Sequence, residues 1–507
     1  MGLAQVWSVA LFGVDGVLVE IEAHVGVGLP GLALVGLPDA ALHESKERVR
    51  AAVLNSDEQW PNRRTTLALS PATLRKVGSS YDLALACAVL AADHAVPTNG
   101  PLRSTVLLGE LALDGRLRPV RGVLPALLAA RRVGLRRAVV PAATLAEAAL
   151  VTGVEVLGAR RLRDVLAWLR GSPSVLVRPD QPAAVEPPQV PDLADVVGQP
   201  HARWGLEVAA AGGHHLLLVG PPGTGKTMLA KRLVGLLPEL SADEALEVTG
   251  IHSVAGRLSP SAPLLTAPPL VAPHHSASMA ALVGGGSGLG RPGAISLSHR
   301  GILFLDEVAE FSSRALEALR TPLEEGEIRI SRTDGVVCYP ARFQLVMAAN
   351  PCPCAPPRDI DCVCTGAARR RYQARLSGPL LDRVDLRLQM LPTNAAVLAD
   401  AGPVEGTAVV RERVVQARAC AAERWSAHGW RTNAEVPGPA LRRTFRLPRA
   451  AITPIDRVLR EGRLTARGAD RCLRLAWTLA DLAGRTRPDD QLVWAAINLH
   501  DPRMAAA

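Results

Sequence analysis

The stretch HHLLLVGPPGTGKTMLAKRLVGLLP, residues 214–238, constrains this chain more than any other. An apolar strand-like run, Leu216 to Val219, enters Gly220, Pro221, Pro222, Gly223, Thr224, Gly225, Lys226 and Thr227, and a helical pattern follows. This is G-x-x-x-x-G-K-[ST] in the strand–loop–helix setting that the motif needs. The glycines let backbone N–H groups turn inward around phosphates, and the helix N-terminus adds partial positive charge. Lys226 is expected to reach the β- and γ-phosphates of ATP, and Thr227 to hold Mg²⁺. A purely structural glycine-rich turn is the competing account, and the flanking elements argue against it. The chain has only four lysines (Lys46, Lys76, Lys226, Lys231) against 53 arginines, so a lysine at this position is informative.

Two further strand ends and two arginines fit the same chemistry. GILFLDEVAEF (301–311) is an apolar run ending in Asp306 and Glu307. Asp306 is expected to bind Mg²⁺, and Glu307 to orient and polarise the attacking water. FQLVMAANP (343–351) ends in Asn350. An amide at the carboxyl end of a parallel strand lies in the ligand crevice of such sheets, where it senses the γ-phosphate or places the water. An Asn before Pro is otherwise a turn residue. LSGPLLDRVDLRL (376–388) carries Arg383, and LTARGADRCLRLAW (464–477) places Arg467 at a helix start. Each is a candidate cation for transition-state charge or a phosphate sensor; each is also of a type common on surfaces.

A length of 507 residues suggests about three domains. Strand and helix patterns alternate over 1–170: VLVEIEAHV (17–25), TTLALSP (65–71) and RAVVP (137–141) read as strands, and ESKERVRAAVLNS (44–56) and DLALACAVLAAD (82–93) as helices. Residues 171–191 are proline-rich and read as a linker. Alternating strands and helices over 192–392 imply a parallel sheet, and 393–507 is largely helical. The fold class is multidomain α/β with a helical C-terminal lid. The N-terminus lacks a basic segment followed by an apolar core, and no apolar run approaches the roughly 18 residues of a membrane span. A cytoplasmic chain with no membrane partner is therefore expected. The net charge is +9, and residues 401–507 hold 18 Arg against 11 Asp and Glu. Such a region could face nucleic acid phosphates, although a general arginine bias gives the same count.

Together these stretches resemble the AAA+ superfamily, in its magnesium-chelatase-like and MCM-like branch. The resemblance to the YifB/ComM family of Mg-chelatase-like ATPases runs through residues 28–56, 213–233, 272–286, 291–307 and 375–386. It implies a homo-hexameric ring with ATP sites between subunits. It makes Asn350 the first sensor, Arg383 an arginine finger acting on the neighbouring subunit, and Arg467 the sensor-2 arginine. It also implies that IRISRTDGVVCYPARF (328–343) forms a hairpin facing a central pore, with Arg329 and Arg332 as candidate contacts to DNA; Asp334-Gly335 is a good turn by itself. A solvated hairpin is the plainer alternative.

The N-terminal domain resembles the Lon-protease-like fold, with Ser80 about where Lon carries its nucleophile. A Ser–Lys dyad needs a base to activate the hydroxyl. The matching stretch 115–134 has Leu124 in the lysine position and contains no lysine, so a ring-building or docking domain is expected rather than a protease. His274 and His275 in PHHS (273–276) suggest metal ligands, but adjacent strand side chains face opposite ways, which favours a structural or pore-loop role.

The leading functional reading is an ATP-driven motor on single-stranded or branched DNA, of the kind ComM-type resemblance implies for helicase and branch-migration activity. A remodeller of proteins or of cofactor insertion, like the magnesium-chelatase motor subunit, is the alternative. A non-catalytic scaffold fits poorly with the intact set of Lys226, Asp306, Glu307, Asn350 and Arg383.

Finally, PCPCAPPRDIDCVCT (351–365) holds Cys352, Cys354, Cys362 and Cys364, four of the eight cysteines. Four thiolates complete a tetrahedral Zn²⁺ site, although C-x-C pairs are tighter than the usual spacing. Structural zinc leads over free thiols and over a regulatory disulfide.

Overall fold

The computed structural model describes residues 2–37, 39–179, 190–286, 290–332, 335–357, 361–376, 378–392 and 404–501. The first sheet has seven strands: β1 (Gly2–Phe12), β2 (Asp15–Gly26), β3 (Gly31–Val35), β4 (Arg64–Ser70), β5 (Thr105–Leu107), β6 (Arg137–Pro141) and β7 (Glu155–Ala159), in the order β3-β4-β2-β1-β5-β6-β7. β1 and β2 form a long antiparallel hairpin in which Phe12 faces Asp15. Alternation along β2 sends Val19, Ile21, Ala23 and Val25 into the core, as a half-buried strand requires. β1 has the same inward set, Ala4, Val6 and Ala10, but the sequence reading did not single it out. Helix α1 (Ala40–Leu54) begins at Asp39, whose side chain accepts from Leu42 N. Helix α2 (Asp82–Ala92) is buried along its whole length, which explains its lack of a polar face.

The second sheet contains β8 (Leu216–Val219), β9 (Leu270–Val271), β10 (Ile302–Leu305), β13 (Gln344–Ala349) and β14 (Leu386–Gln389), all parallel, in the order β9-β10-β13-β8-β14. Between β10 and β13 the chain makes a separate antiparallel hairpin, β11 (Glu327–Arg332) and β12 (Gly335–Pro340). Its turn residues Thr333 and Asp334 lie outside the described residues, as does the side chain of Arg332. The parallel strands are apolar on both faces because both are covered. Leu216, Leu218, Phe304, Val346 and Ala348 join one core cluster, and Leu217, Leu303, Leu305, Leu345 and Met347 the other.

The first of those clusters continues into the C-terminal helices α10 (Thr407–Trp425), α11 (Arg449–Arg460), α12 (Ala466–Leu482) and α13 (Asp490–His500). Trp425 is fully buried, with Phe445 and Trp477 against its ring at centroid distances of 4.6 and 5.5 Å. The helical domain therefore shares a core with one face of the parallel sheet. The N-terminal domain joins the central domain through helix α3 (Val123–Arg132), which packs on α6 (Ala242–Ala255). There Glu147 accepts hydrogen bonds from Leu124 N at 2.8 Å and from the Ser253 hydroxyl. The β1–β2 turn also abuts the other hairpin: a Cβ added to Gly13 would fall 2.7 Å from Val337.

Candidate active site

In parallel α/β sheets the ligand crevice lies beyond the carboxyl ends of the strands. The residues singled out from the sequence meet there. β8 ends at Val219, the loop follows, and helix α5 (Lys226–Leu236) starts at Lys226 itself. Gly223 and Gly225 have φ of 78° and 87°, the left-handed region that favours glycine. Lys226 Nζ donates to Gly220 O at 2.6 Å, Pro221 O at 2.8 Å and Asn350 Oδ1 at 3.1 Å. Burial lowers the pKa of this amine, and the nearby Asp306 and Glu307 oppose that shift. Thr227 Oγ1 donates to Asp306 Oδ2 at 2.6 Å. A hydroxyl and a carboxylate in contact at a helix start suit an octahedral Mg²⁺ that keeps several waters.

Glu307 follows Asp306 with φ +51°, an uncommon conformation for a residue other than glycine. Such conformations are enriched at functional sites. Its Oε2 lies 3.2 Å from His275 Nδ1. Residues 272–276 form a loop rather than a strand, so His274 and His275 stack with ring centroids 4.1 Å apart, and His275 lies beside Glu307, a contact the sequence did not suggest. The signal was missed because β9 is only two residues long, too short to show that residue 275 follows a sheet strand.

Arg383 and Arg467 are not at this end of the sheet. Arg383 lies just ahead of β14 and is largely buried, paired with Glu324. Arg467 Nη1 donates to Asp382 Oδ2 at 3.0 Å. Arg471 Nη1 donates to Arg383 O at 3.1 Å and to Asp385 Oδ1 at 2.7 Å. Burial would raise the Asp385 pKa, but Arg471 and then His214 hold it well below the usual carboxylate range. Asp385 Oδ2 in turn accepts from His215 N at 3.0 Å. His215 precedes β8, so this group marks the amino edge of the sheet. Arg383, Arg467, Arg471 and Glu324 line a cavity of about 780 Å³ that no residue of the phosphate loop borders. The length of β8, about 3.3 Å for each residue, separates the two sets.

The four cysteines converge. Cys352 Sγ is 3.4 Å from Cys354 Sγ, Cys354 is 3.5 Å from Cys362, and Cys362 is 3.5 Å from Cys352. With Cys364 included, the four sulfurs lie within 4.8 Å of one another. A zinc tetrathiolate with Zn–S of about 2.3 Å has S···S edges of about 3.8 Å. A disulfide needs about 2.05 Å. The set therefore fits a metal tetrahedron. Arg369 Nε donates to Cys362 Sγ at 3.2 Å, and this guanidinium pulls the Cys362 thiol down to about 6.

In the N-terminal domain Leu124 is fully buried, and the lysine nearest in sequence to Ser80 is committed elsewhere. Lys76 Nζ donates to Leu69 O at 2.9 Å, to Gly36 O at 3.1 Å and to Pro71 O.

A phosphate loop at the carboxyl edge of a five-stranded parallel sheet, with a helical domain behind it, defines an ATPase of the AAA class. The chain belongs to the magnesium chelatase subunit ChlI family and is a YifB/ComM homologue over nearly its full length. Residues 192–398 match the family "Magnesium chelatase, subunit ChlI", residues 21–144 "Subunit ChlI of Mg-chelatase", and residues 404–500 "Magnesium chelatase, subunit ChlI C-terminal". The chain is 62% identical to the uncharacterized protein Rv2897c of Mycobacterium tuberculosis, over 98% of each chain. It is 43% identical to the uncharacterized protein YifB of Escherichia coli, over 95% of this chain and 94% of that one. It is 41% identical to the competence protein ComM of Haemophilus influenzae, over 96% and 94%. A shorter match, 31% over 140 residues, links it to the Lon protease of Mycolicibacterium smegmatis, in keeping with a Lon-like N-terminal domain. Among the described residues no helix is long and apolar enough to cross a membrane.

Proposed function

We propose that this chain is an ATP-hydrolysing ring motor that acts on single-stranded or branched DNA. The observation that carries the ring is the separation of Lys226, Thr227, Asp306, Glu307 and Asn350 from Arg383 and Arg467, which stand at opposite edges of one sheet. A head-to-tail ring brings the second set of one subunit to the first set of the next. AAA ATPases are typically oligomeric, and a homo-hexamer is the arrangement that the family resemblance favours.

In this reading Lys226 and the loop N–H groups hold the β- and γ-phosphates, while Thr227 and Asp306 hold Mg²⁺. Mg²⁺ held there would supply positive charge against the charge that develops on the phosphates. Glu307 orients the attacking water, Asn350 senses the γ-phosphate, and Arg383 and Arg467 of the adjacent subunit stabilise the transition state. The Lon-like domain is non-proteolytic: position 124 offers no amine, and Lys76 is engaged by three carbonyls. Cys352, Cys354, Cys362 and Cys364 hold a structural Zn²⁺ that fastens the loop joining Asn350 to helix α9 (Gly366–Arg375).

The DNA role rests on the likeness to ComM, on the exposed hairpin residue Arg329 and on the basic C-terminal region. The deciding measurement is ATP hydrolysis with and without forked DNA. Stimulation supports the motor. An unchanged rate with DNA, alongside stimulation by a protein partner, replaces it with a remodelling ATPase.

A further inference from the structure

The cavity at the amino edge of the parallel sheet holds two cations that the ring reading does not use. Arg418 belongs to α10 and Arg474 to α12, and both line the cavity. Each makes a single described hydrogen bond, from Nε to a backbone carbonyl. Arg418 donates to Ala210 O of helix α4 (Pro200–Gly212) at 2.8 Å, and Arg474 to Val436 O at 2.7 Å. Nη1 and Nη2 of both side chains therefore have no partner among the described residues.

The carboxylates near enough to act on this pair are engaged elsewhere. Glu435 and Glu244 act on Arg418. Glu244 pairs with Arg431 Nη1 at 2.5 Å, and with Nη1 of Arg300, just beyond the short helix α7 (Ala294–Leu297), at 3.3 Å. Glu435 accepts from Arg431 N at 2.8 Å. Asp385 and Asp470 act on Arg474, but Arg471 holds the first at 2.7 Å and Arg442 the second at 2.8 Å. Burial accordingly pulls the Arg418 guanidinium down to about 10 and lowers that of Arg474. Both stay charged at neutral pH. A half-buried charge without a counter-ion is costly, and these two face open space from which one can come. The pair is also set apart from Arg467. Arg474 is seven residues further along α12, about 10 Å at 1.5 Å per residue. Trp430, whose ring stacks on His428 with centroids 4.7 Å apart, and Phe343 supply apolar wall. A volume of about 780 Å³ with a few converging polar groups is that of a small-molecule site.

We propose that Arg418 and Arg474 form a second phosphate site, separate from the phosphate loop, that takes the phosphate group of a small ligand. Guanidinium forks pair bidentately with phosphate and with carboxylate alike. A dianionic phosphate neutralises both cations at once, whereas a carboxylate neutralises one. The same chemistry has two sources: a free phosphate-bearing solute, or ATP on the phosphate loop of the neighbouring subunit. Only the second source rests on the ring reading.

The test uses the full chain carrying Lys226→Ala, which disables the phosphate loop. The probe is inorganic pyrophosphate, compared with sodium chloride at equal ionic strength. For a free source, saturating pyrophosphate should raise the unfolding midpoint of this protein by about 2 °C or more. Adding Arg418→Gln and Arg474→Gln together should remove the shift. Either change alone should remove at least about half of it, so the test stands even if the double variant does not fold. For the neighbour's ATP, Lys226→Ala shows no shift. Arg474→Gln with a sound phosphate loop then raises KM for ATP about fivefold or more, and mixing it with Lys226→Ala subunits recovers the lower KM. A pyrophosphate shift that survives both Gln changes, with KM for ATP unchanged, overturns the proposal. The absence of both the shift and the KM effect overturns it as well. A failed ring is read separately, from Arg383→Ala and Lys226→Ala mixtures that stay inactive, and it removes the second source alone.

Discussion

Arg467 Nη1 lies 3.0 Å from Asp382 Oδ2, one residue from Arg383, at the sheet edge opposite the phosphate loop. In the proposed ring this edge is the one that would meet a neighbouring subunit's phosphate loop. Glu324, which pairs with Arg383, sits in helix α8 (Arg320–Glu325) immediately before the hairpin. The cation that would complete a neighbour's site is thus tied to the element that would touch DNA.

Arg383→Ala and Lys226→Ala should each abolish ATP hydrolysis when assembled alone. Mixing the two should restore it, because an Arg383→Ala subunit still offers a sound phosphate loop to a Lys226→Ala neighbour with a sound arginine. In a random one-to-one ring roughly a quarter of the interfaces are intact. Mixed assemblies that stay at the background rate would place Arg383 outside the neighbour's site. Arg467→Ala should behave as Arg383→Ala does in the same mixtures.

Within one subunit, Lys226 and Asn350 should separate by effect. Removing a phosphate-loop lysine takes away binding as well as charge stabilisation, so Lys226→Ala should weaken a fluorescent ATP analogue by about tenfold or more. Asn350→Ala removes the 3.1 Å partner of Lys226 and a single polar contact to the γ-phosphate, and leaves the phosphate loop itself intact. Its kcat should fall by about 10- to 100-fold with analogue affinity changed far less, since a group acting mainly in the transition state lowers kcat. Equal losses of binding in the two variants would make Asn350 a part of the loop's architecture instead.

The nucleotide site was legible because its parts are local. Leu216–Val219, Asp306 and Asn350 each sit at the end of an apolar run, and a parallel sheet brings such ends together. The pairings at the other edge were not legible. A helix start says nothing about which partner Arg467 meets, and Glu324 is far from Arg383 in sequence. The contact of His275 with Glu307 was not foreseen, because a two-residue strand carries no periodicity. Four cysteines on one loop favoured zinc over a disulfide in spite of the tight C-x-C spacing, and only the folded loop gives the sulfur distances that fit it. The docking of Leu124 and Ser253 on Glu147 joins two domains and leaves no pattern in either.

The cysteine loop should carry about one zinc per chain as purified without chelators, measured by elemental analysis. Replacing Cys352 and Cys354 with Ser should remove it. The unfolding midpoint should then fall by about 2–4 °C for each 1 kcal/mol lost in a domain of this size. Phosphate-loop binding of the ATP analogue should survive, because the loop lies beyond Asn350 rather than on Lys226. Zinc near zero in fresh protein would leave four free thiols in van der Waals contact and end the metal reading.

Glu147 gives the N-terminal domain a pH-dependent grip. Burial raises its pKa, and the hydrogen bonds from Ser253 and Leu124 N–H offset this only in part. A carboxyl whose folded pKa is raised favours the folded state most when protonated. Its contribution is therefore complete below the unfolded value near 4.5 and declines as pH rises through the higher folded value. At neutral pH the charged form is held against its preference, so Glu147→Gln, which keeps an acceptor oxygen, should raise the unfolding midpoint at pH 7.5. The gain should shrink toward zero by about pH 4, where the wild-type group is itself protonated. Glu147→Ala should instead destabilise by about 1–3 kcal/mol, because the Leu124 N–H and the Ser253 hydroxyl lose their acceptor. Midpoints across the pH series decide the matter: a Glu147→Gln variant that is less stable than wild type at pH 7.5 would mean that the ionised carboxylate is the favoured partner of Ser253, and that the domains are joined by its charge rather than in spite of it.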